Sequence, residues 1–377
     1  MKTLALWMML GLALLAVAAG AQSVPARDYR ADFDRSDQAI HEGRGYSEEQ
    51  NKGGELAWGE SYLLMAYMDM YRATGDADYL RHLVAHFDRV LKNRDDVLGK
   101  ADAFAGKPLA GWGSDAYSGG KWHVWIVHIG MIEWGPSQFV RLVTQEKKLH
   151  KEFGAKAAEY KARIAESLRD AEPYWRNGPK ADEGYYFEPH LGSVQPTNQQ
   201  NSLGCVLVEM YRATGDKSYR DKAARLARFF RNRLRMPQPD LYDWAYWPKL
   251  EEDGKGSEDI SHASMNVTFA TLCAAEGIVF TREEIARFGR TWLQKVKRSD
   301  GTWADTVGGE GKGNQFMPYS IGLWLNLCGL LPKDLREAFY QDAVRAFSAE
   351  RLYGASEMVG LARLLRYAPG KRVAHNI

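Results

Sequence analysis

Met70-Tyr71-Arg72-Ala73-Thr74-Gly75-Asp76 recurs 140 residues later as Met210-Tyr211-Arg212-Ala213-Thr214-Gly215-Asp216, and a tyrosine follows each copy three residues on, at Tyr79 and Tyr219. Each copy closes an apolar-periodic stretch. A glycine at that point can take the left-handed conformation that ends a helix, and the aspartate after it can cap the next one. The repeated heptapeptide therefore reads as the corner of a helical hairpin.

The same logic applied outward predicts hairpins at about 54–93, 120–171, 197–235, 260–297 and 316–349, a last helix near 355–368 and a short one near 32–42. Helix pairs recurring along a chain indicate a stacked array, and the intervening segments predict few or no long strands. The first helix of each pair is rich in aromatic and small residues, as in Trp122-His123-Val124-Trp125 and Ser261-His262-Ala263-Ser264. The second is amphipathic and charged, as over 219–235. Inner helices buried on nearly all sides and outer helices wetted on one side produce that contrast. The expected fold is all-α, an (α/α) toroid of about six hairpins. Length alone would suggest two domains, but the repeat assigns residues 22–377 to one.

Met1-Lys2-Thr3, the apolar run from Leu4 to Ala18 and the small residues Ala19-Gly20-Ala21 form the pattern of a signal peptide over 1–21, cleaved after Ala21. The rival, a membrane anchor, needs about 20 apolar residues. A periplasmic or secreted protein is expected, with no membrane attachment after cleavage. The remaining 49 basic and 48 acidic residues nearly cancel, giving no general field for nucleic acid or membranes. Cys205, Cys273 and Cys328 lie in apolar helical stretches and read as small buried hydrophobes rather than a disulfide framework. A monomer is expected.

Aligning the two repeat copies sets Trp58-Gly59-Glu60-Ser61 opposite Asn198-Gln199-Gln200-Asn201, both at the start of an inner helix. Glu258-Asp259-Ile260-Ser261-His262, continuing to Asn266, is the third such start, and the segment from Gly313 through Gln315 to Tyr319 is the fourth. Polar side chains gathered at one structural position in successive repeats predict a shared site, and free N–H groups point the same way. Long connections at 99–120, 177–197, 236–260 and 299–315 would wall it. Trp58, Trp112, Trp244 and Trp247 are candidates to stack on sugar rings, although 12 tryptophans in one chain means that many must be core. His123 and His128 are five apart, which does not place both on one helix face, so one of them, His123, is taken as a ligand contact rather than both as a metal pair. No His-Glu-x-x-His, EF-hand loop or cysteine pair points to a metal, and no cofactor is expected.

The signal peptide, the hairpin repeat, the Tyr-Arg-Ala-Thr-Gly-Asp corners and the order Asn198, His262, Tyr319 resemble the α/α-toroid polysaccharide lyases that cleave uronic-acid polymers such as alginate or glucuronan. Such lyases remove the C5 proton of a uronate and expel the C4 oxygen, which requires a neutralised carboxylate, a base and an acid. The resemblance implies Asn198 or Asn201 at the carboxylate, His262 as base or carboxylate partner, and Tyr319 as acid or as both acid and base. Glu60, Gln200, Asn266, Lys312 and Gln315 would line the substrate, an acidic polysaccharide or oligosaccharide. An arginine often meets the carboxylate in this family, and the segment before Tyr319 offers only Lys312 in its place. Bland rivals stand beside these roles: His262 as a capping residue, Tyr319 as a packing aromatic, Asn198 or Asn201 as an ordinary N-cap. Other functions for the same scaffold are an inverting glycoside hydrolase working through two of Glu60, Asp115, Asp259 and Asp305, a uronate C5-epimerase, and a non-catalytic sugar-binding protein.

Overall fold

A computed structural model describes residues 27–251 and 254–371; the expected signal peptide lies outside the described residues. Six inner helices follow one another round a ring: α2 (Ser61–Thr74), α5 (Ile126–Gln145), α7 (Thr197–Thr214), α9 (Ile260–Ala275), α11 (Tyr319–Trp324) and α13 (Ala355–Arg366). The outer partners of the first five are α3 (Asp78–Lys92), α6 (His150–Ala171), α8 (Lys217–Arg231), α10 (Arg282–Thr291) and α12 (Lys333–Ala346). The sixth pair is built from the two ends of the chain, with α1 (Tyr29–Ala39) packed outside α13, and α13 against α2 closes the circle. The fold is thus an all-α toroid of six pairs in a single domain. The four-residue α4 (Asp95–Leu98) sits in the first long connection. No helix among the described residues is long and apolar enough to cross a membrane.

Both copies of the repeated heptapeptide form the same corner. Gly75 at φ 75° donates to the Tyr71 carbonyl at 2.7 Å, and Gly215 at φ 74° donates to the Tyr211 carbonyl at 2.8 Å. Thr74 and Thr214 turn their hydroxyls back to Met70 and Met210, and the carboxylates of Asp76 and Asp216 accept from the N–H of Asp78 and Ser218. The motif also places Arg72 three residues after Asp69, and Arg212 three after Glu209. Arg141, Arg363 and Arg366 are buried, and the side chains of Arg72 and Arg212 are largely covered, toward the C-terminal ends of inner helices, where cations complement the helix dipoles.

Glycine lets neighbouring inner helices touch backbone to backbone. A Cβ on Gly130 of α5 would lie 2.4 Å from the Leu203 nitrogen of α7, and one on Gly322 of α11 would lie 2.7 Å from the Gly360 Cα of α13. The inner helices are consequently buried on nearly every face, Ile126 to Val143 without exception along α5.

Among the described residues, seven short strands occupy the long connections: β1 (Gly113–Ser114), β2 (His123–Val124), β3 (Trp175–Asn177), β4 (Gly184–Glu188), β5 (Ser193–Val194), β6 (Arg235–Gln238) and β7 (Leu241–Asp243). They form three small antiparallel sheets, β1–β2, β3–β4–β5 and β6–β7. The β1–β2 pairing holds the chain extended through Val124, so the second inner helix starts at Ile126 rather than near 120. His123 therefore stands on a strand and His128 on a helix. The fifth inner helix is also shorter than its periodicity suggested, passing after Trp324 into a 3-10 turn, Leu325–Gly329.

Candidate functional site

The N-terminal ends of four inner helices, α2, α5, α7 and α9, converge on a cleft of about 430 Å³. Trp58 enters it from a π-turn (Leu56–Glu60) that leads into α2, Trp125, Val127 and His128 from the first turn of α5, Asn198 and Gln199 from the first turn of α7, and His262 from the first turn of α9. Tyr117, Leu191, Tyr246 and Trp247 close it from the long connections. No side chain caps α5 or α7, so their dipoles' positive ends face a space whose lining, among the described residues, holds no carboxylate.

On one side stands His128. Its Nδ1 lies 3.1 Å from Asn51 Nδ2 and 3.3 Å from the Trp112 carbonyl, while its Nε2 is buried without a partner. Burial lowers this imidazole to about 4, which keeps it neutral. The Trp58 indole meets it edge-on at 5.4 Å, and Trp58 Nε1 donates to the Tyr117 hydroxyl at 3.0 Å. Asn51 organises this wall: at φ 55°, its side-chain carbonyl accepts from the Leu56 and Ala57 N–H groups and its amide donates toward the Trp112 and Gly113 carbonyls.

His262 stands on the other side, half-exposed. Its Nδ1 is 2.5 Å from Asp259 Oδ2, and Asp259 also caps α9 by accepting from the N–H of Ser261 and His262. Burial pushes the Asp259 carboxyl up, but the His262 and Ser261 bonds outweigh it and hold the group below its ordinary value. A carboxylate on Nδ1 fixes the ring and leaves Nε2 for the cleft. Tyr246 packs 5.0 Å from this imidazole, and Trp247 5.2 Å from Tyr246. Tyr319, half-buried on the neighbouring α11, has its phenol raised by burial, partly offset by its bond to the Ser261 side chain. It meets the Ser261 side chain, near enough to Asp259 to feel its charge, and is not among the residues lining the cleft. Between the two histidines lies Asn198, whose Oδ1 is buried and unpartnered, beside Gln199, whose Oε1 is also unpartnered.

Of the residues singled out from sequence, Trp58, Asn198, Trp247 and His262 meet in this cleft. Others do not. Trp112 and Trp244 are core residues, their Nε1 atoms bonded to the Val90 carbonyl and to Glu258, because the loops that carry them fold inward over the outer helices. Glu60 is fully buried between His86 and the Tyr46 N–H. Gln200 ties the Tyr186 N–H to the Gln195 carbonyl. Asn201 donates to Asn266, which donates to Glu258, in a buried network behind Asn198. Lys312 and Gln315 are exposed on the 299–315 connection, outside the cleft lining. The sequence reading did not assign Tyr117, Trp125, Val127, His128, Leu191, Gln199 or Tyr246 to the site. A later helix start would have put His128 in the first turn, the position that identified Asn198 and His262.

His123 does not line the cleft. Its Nδ1 lies 2.7 Å from Asp102 and its Nε2 3.0 Å from Glu188, all three buried, so it pins the 99–120 connection to β4 beside the cleft. Burial pulls this imidazole down, but the two carboxylates prevail and raise it to about 9. A group raised on folding from 6.5 to about 9 adds stability that is fully present below pH 6.5 and is lost as pH climbs through 9. The melting temperature should therefore fall between pH 6.5 and 9. In the His123→Gln variant that slope should flatten; an unchanged slope would show that the node carries no such linkage.

No protein-family model matches the sequence, and no curated protein is similar to it at a significant level. Solved structures share its fold. An inactive variant of the α-1,6-mannanase of Salegentibacter sp. HEL1_6, in complex with α-1,6-mannotriose, is similar over 90% of this chain and 98% of its own, at a TM-score of 0.59 and 12% identity. The unsaturated glucuronyl hydrolase of Bacillus sp. GL1 is similar over 90% and 95%, at 0.57 and 16%. A polysaccharide lyase is similar over 90% and 96%, at 0.52 and 12%.

Proposed function

We propose that this chain is an exported polysaccharide lyase that cleaves a uronic-acid polymer of the alginate or glucuronan type by β-elimination. The observation that carries this reading is the composition of the cleft: imidazoles, amides and aromatic faces at the positive ends of inner helices, and, among the described residues, no carboxylate in the lining. An inverting hydrolase needs two carboxyl groups about 6.5–9.5 Å apart with water between them. Three of the four acids weighed for that role are engaged elsewhere, and the fourth, Asp115, is not among the residues lining the cleft. Glu60 holds His86, Asp305 accepts from the N–H groups of Gly313 and Gln315, and Asp259 holds His262. Elimination needs proton-transfer groups and carboxylate recognition instead. Asn198 and Gln199 meet the uronate carboxylate, Trp58, Trp247 and Tyr246 stack on the rings, and the Asp259-backed His262, with Tyr319 beside Ser261, handles the proton at the leaving oxygen. A hydrolase is the second reading, favoured by the mannanase and the glucuronyl hydrolase among the fold neighbours.

Incubation with a panel of uronate polymers separates the readings. A lyase raises the ultraviolet absorbance of the conjugated, unsaturated uronate as chains shorten. Shortening without absorbance would mean hydrolysis, and absorbance and length both unchanged across the panel would end the lyase reading.

A further inference from the structure

Resting on the lyase reading, we propose that His128 is the base that removes the C5 proton and His262 the acid that protonates the C4 oxygen, from opposite walls of the cleft, so that the preferred substrates are uronates whose C5 hydrogen and C4 oxygen lie on opposite faces of the ring. The two histidines rise from α5 and α9, and α7 packs against both and stands between them. Each has its own aromatic wall, Trp58 and Tyr117 for His128, Tyr246 and Trp247 for His262. Asn198 and Gln199, at the uncapped start of α7, stand in the middle, where their amide N–H groups would donate to the carboxylate.

The two rings are prepared for different tasks. His128 lines the cleft with a ring kept neutral by its surroundings; with its Nδ1–H donating to the Trp112 carbonyl, the buried, unpartnered Nε2 offers a lone pair. The negative charge of an arriving uronate strengthens it as a base. His262 is backed by a carboxylate on Nδ1, which suits a ring that carries a proton on Nε2 and delivers it. In the reaction His128 Nε2 takes the C5 proton, the C5–H electron pair becomes the C4=C5 double bond, and the C4–O4 bond breaks. His262 gives its Nε2 proton to O4, which leaves as the C1 hydroxyl of the neighbouring sugar. His128 ends protonated and His262 neutral, and exchange with solvent resets both.

Base and acid on opposite walls demand anti elimination. Guluronate, galacturonate and iduronate have the C5 hydrogen and C4 oxygen on opposite ring faces, whereas in mannuronate and glucuronate both lie on the same face. Initial absorbance rates should be measured for the wild-type protein on 4-linked polyguluronate, polygalacturonate, polymannuronate and polyglucuronate. The expected result is a rate at least about 10-fold higher on one of the first two than on either of the last two, with His128→Gln lowering kcat about 10²–10⁴-fold at an unchanged circular-dichroism spectrum. Equal rates, or a preference for polymannuronate or polyglucuronate, would overturn the opposed-histidine arrangement while leaving lyase activity standing. Absence of absorbance on all four would overturn both.

Discussion

His262→Ala is expected to lower kcat/KM on the cleaved polymer by about 10²–10⁴-fold, the usual contribution of one general acid, with the melting temperature within about 1 °C of the parent. The stability half of that expectation comes from the position of the ring. His262 is half-exposed, and its one polar contact, to Asp259, is not what caps the helix; the cap is made by Asp259 with the backbone N–H of Ser261 and of residue 262, both of which alanine retains. A capping or packing role for the imidazole would show as a lower melting temperature and intact turnover. Tyr319→Phe separates the phenol from the imidazole in the same way: its ring stays to pack on α9, and only the hydroxyl beside Ser261 is lost. If both variants retain full activity, proton transfer happens elsewhere and the cleft has been assigned the wrong chemistry.

The ring was legible in the sequence because a hairpin corner is a local event. Gly75 and Gly215 terminate their helices by their own backbone conformation, and Asp76 and Asp216 start the next ones with their own carboxylates, so two identical heptapeptides had to give two identical corners. The pairing of α1 with α13 was not legible, since a contact between residues more than 300 apart leaves no periodicity in either segment. The site divided along the same line. Asn198 and His262 stand in the first turn of helices whose starts carry strong local signals, and they reached the cleft. Trp112 and Trp244 were misplaced because a tryptophan in a polar loop looks the same in sequence whether the loop faces water or folds over the core. What distinguishes them is a long-range bond, to Val90 and to Glu258. His123 and His128 exchanged roles through one error, a helix started six residues early across a stretch that β1 holds extended.

Asp69→Ala is expected to destabilise the fold by about 3–5 kcal/mol, because it strips the counter-charge from arginines that cannot reach water. Asp69 is buried in α2; its Oδ2 accepts from Arg363 Nε at 2.8 Å, its Oδ1 from Arg366 Nη1 at 2.5 Å, and Arg72 lies 3.6 Å away. Those bonds cross the seam between α13 and α2, so they hold the ring shut as well as balance charge. Burial pushes the Asp69 carboxyl up, but Arg363, Arg366 and Arg72 overcome it and lower the group to about 2 from 3.8. A carboxyl depressed on folding adds stability that is complete above pH 3.8 and fades as pH drops through 2, so the gap between parent and variant should close in acid. At neutral pH the midpoint should drop by about 5–10 °C. Lys148→Ala, which removes the exposed partner of Glu146, should leave it nearly unchanged, since water and salt screen such a pair. A near-neutral Asp69→Ala would mean that the helix C-termini alone stabilise the buried guanidinium groups, and that the seam between first and last inner helices is held by its apolar packing.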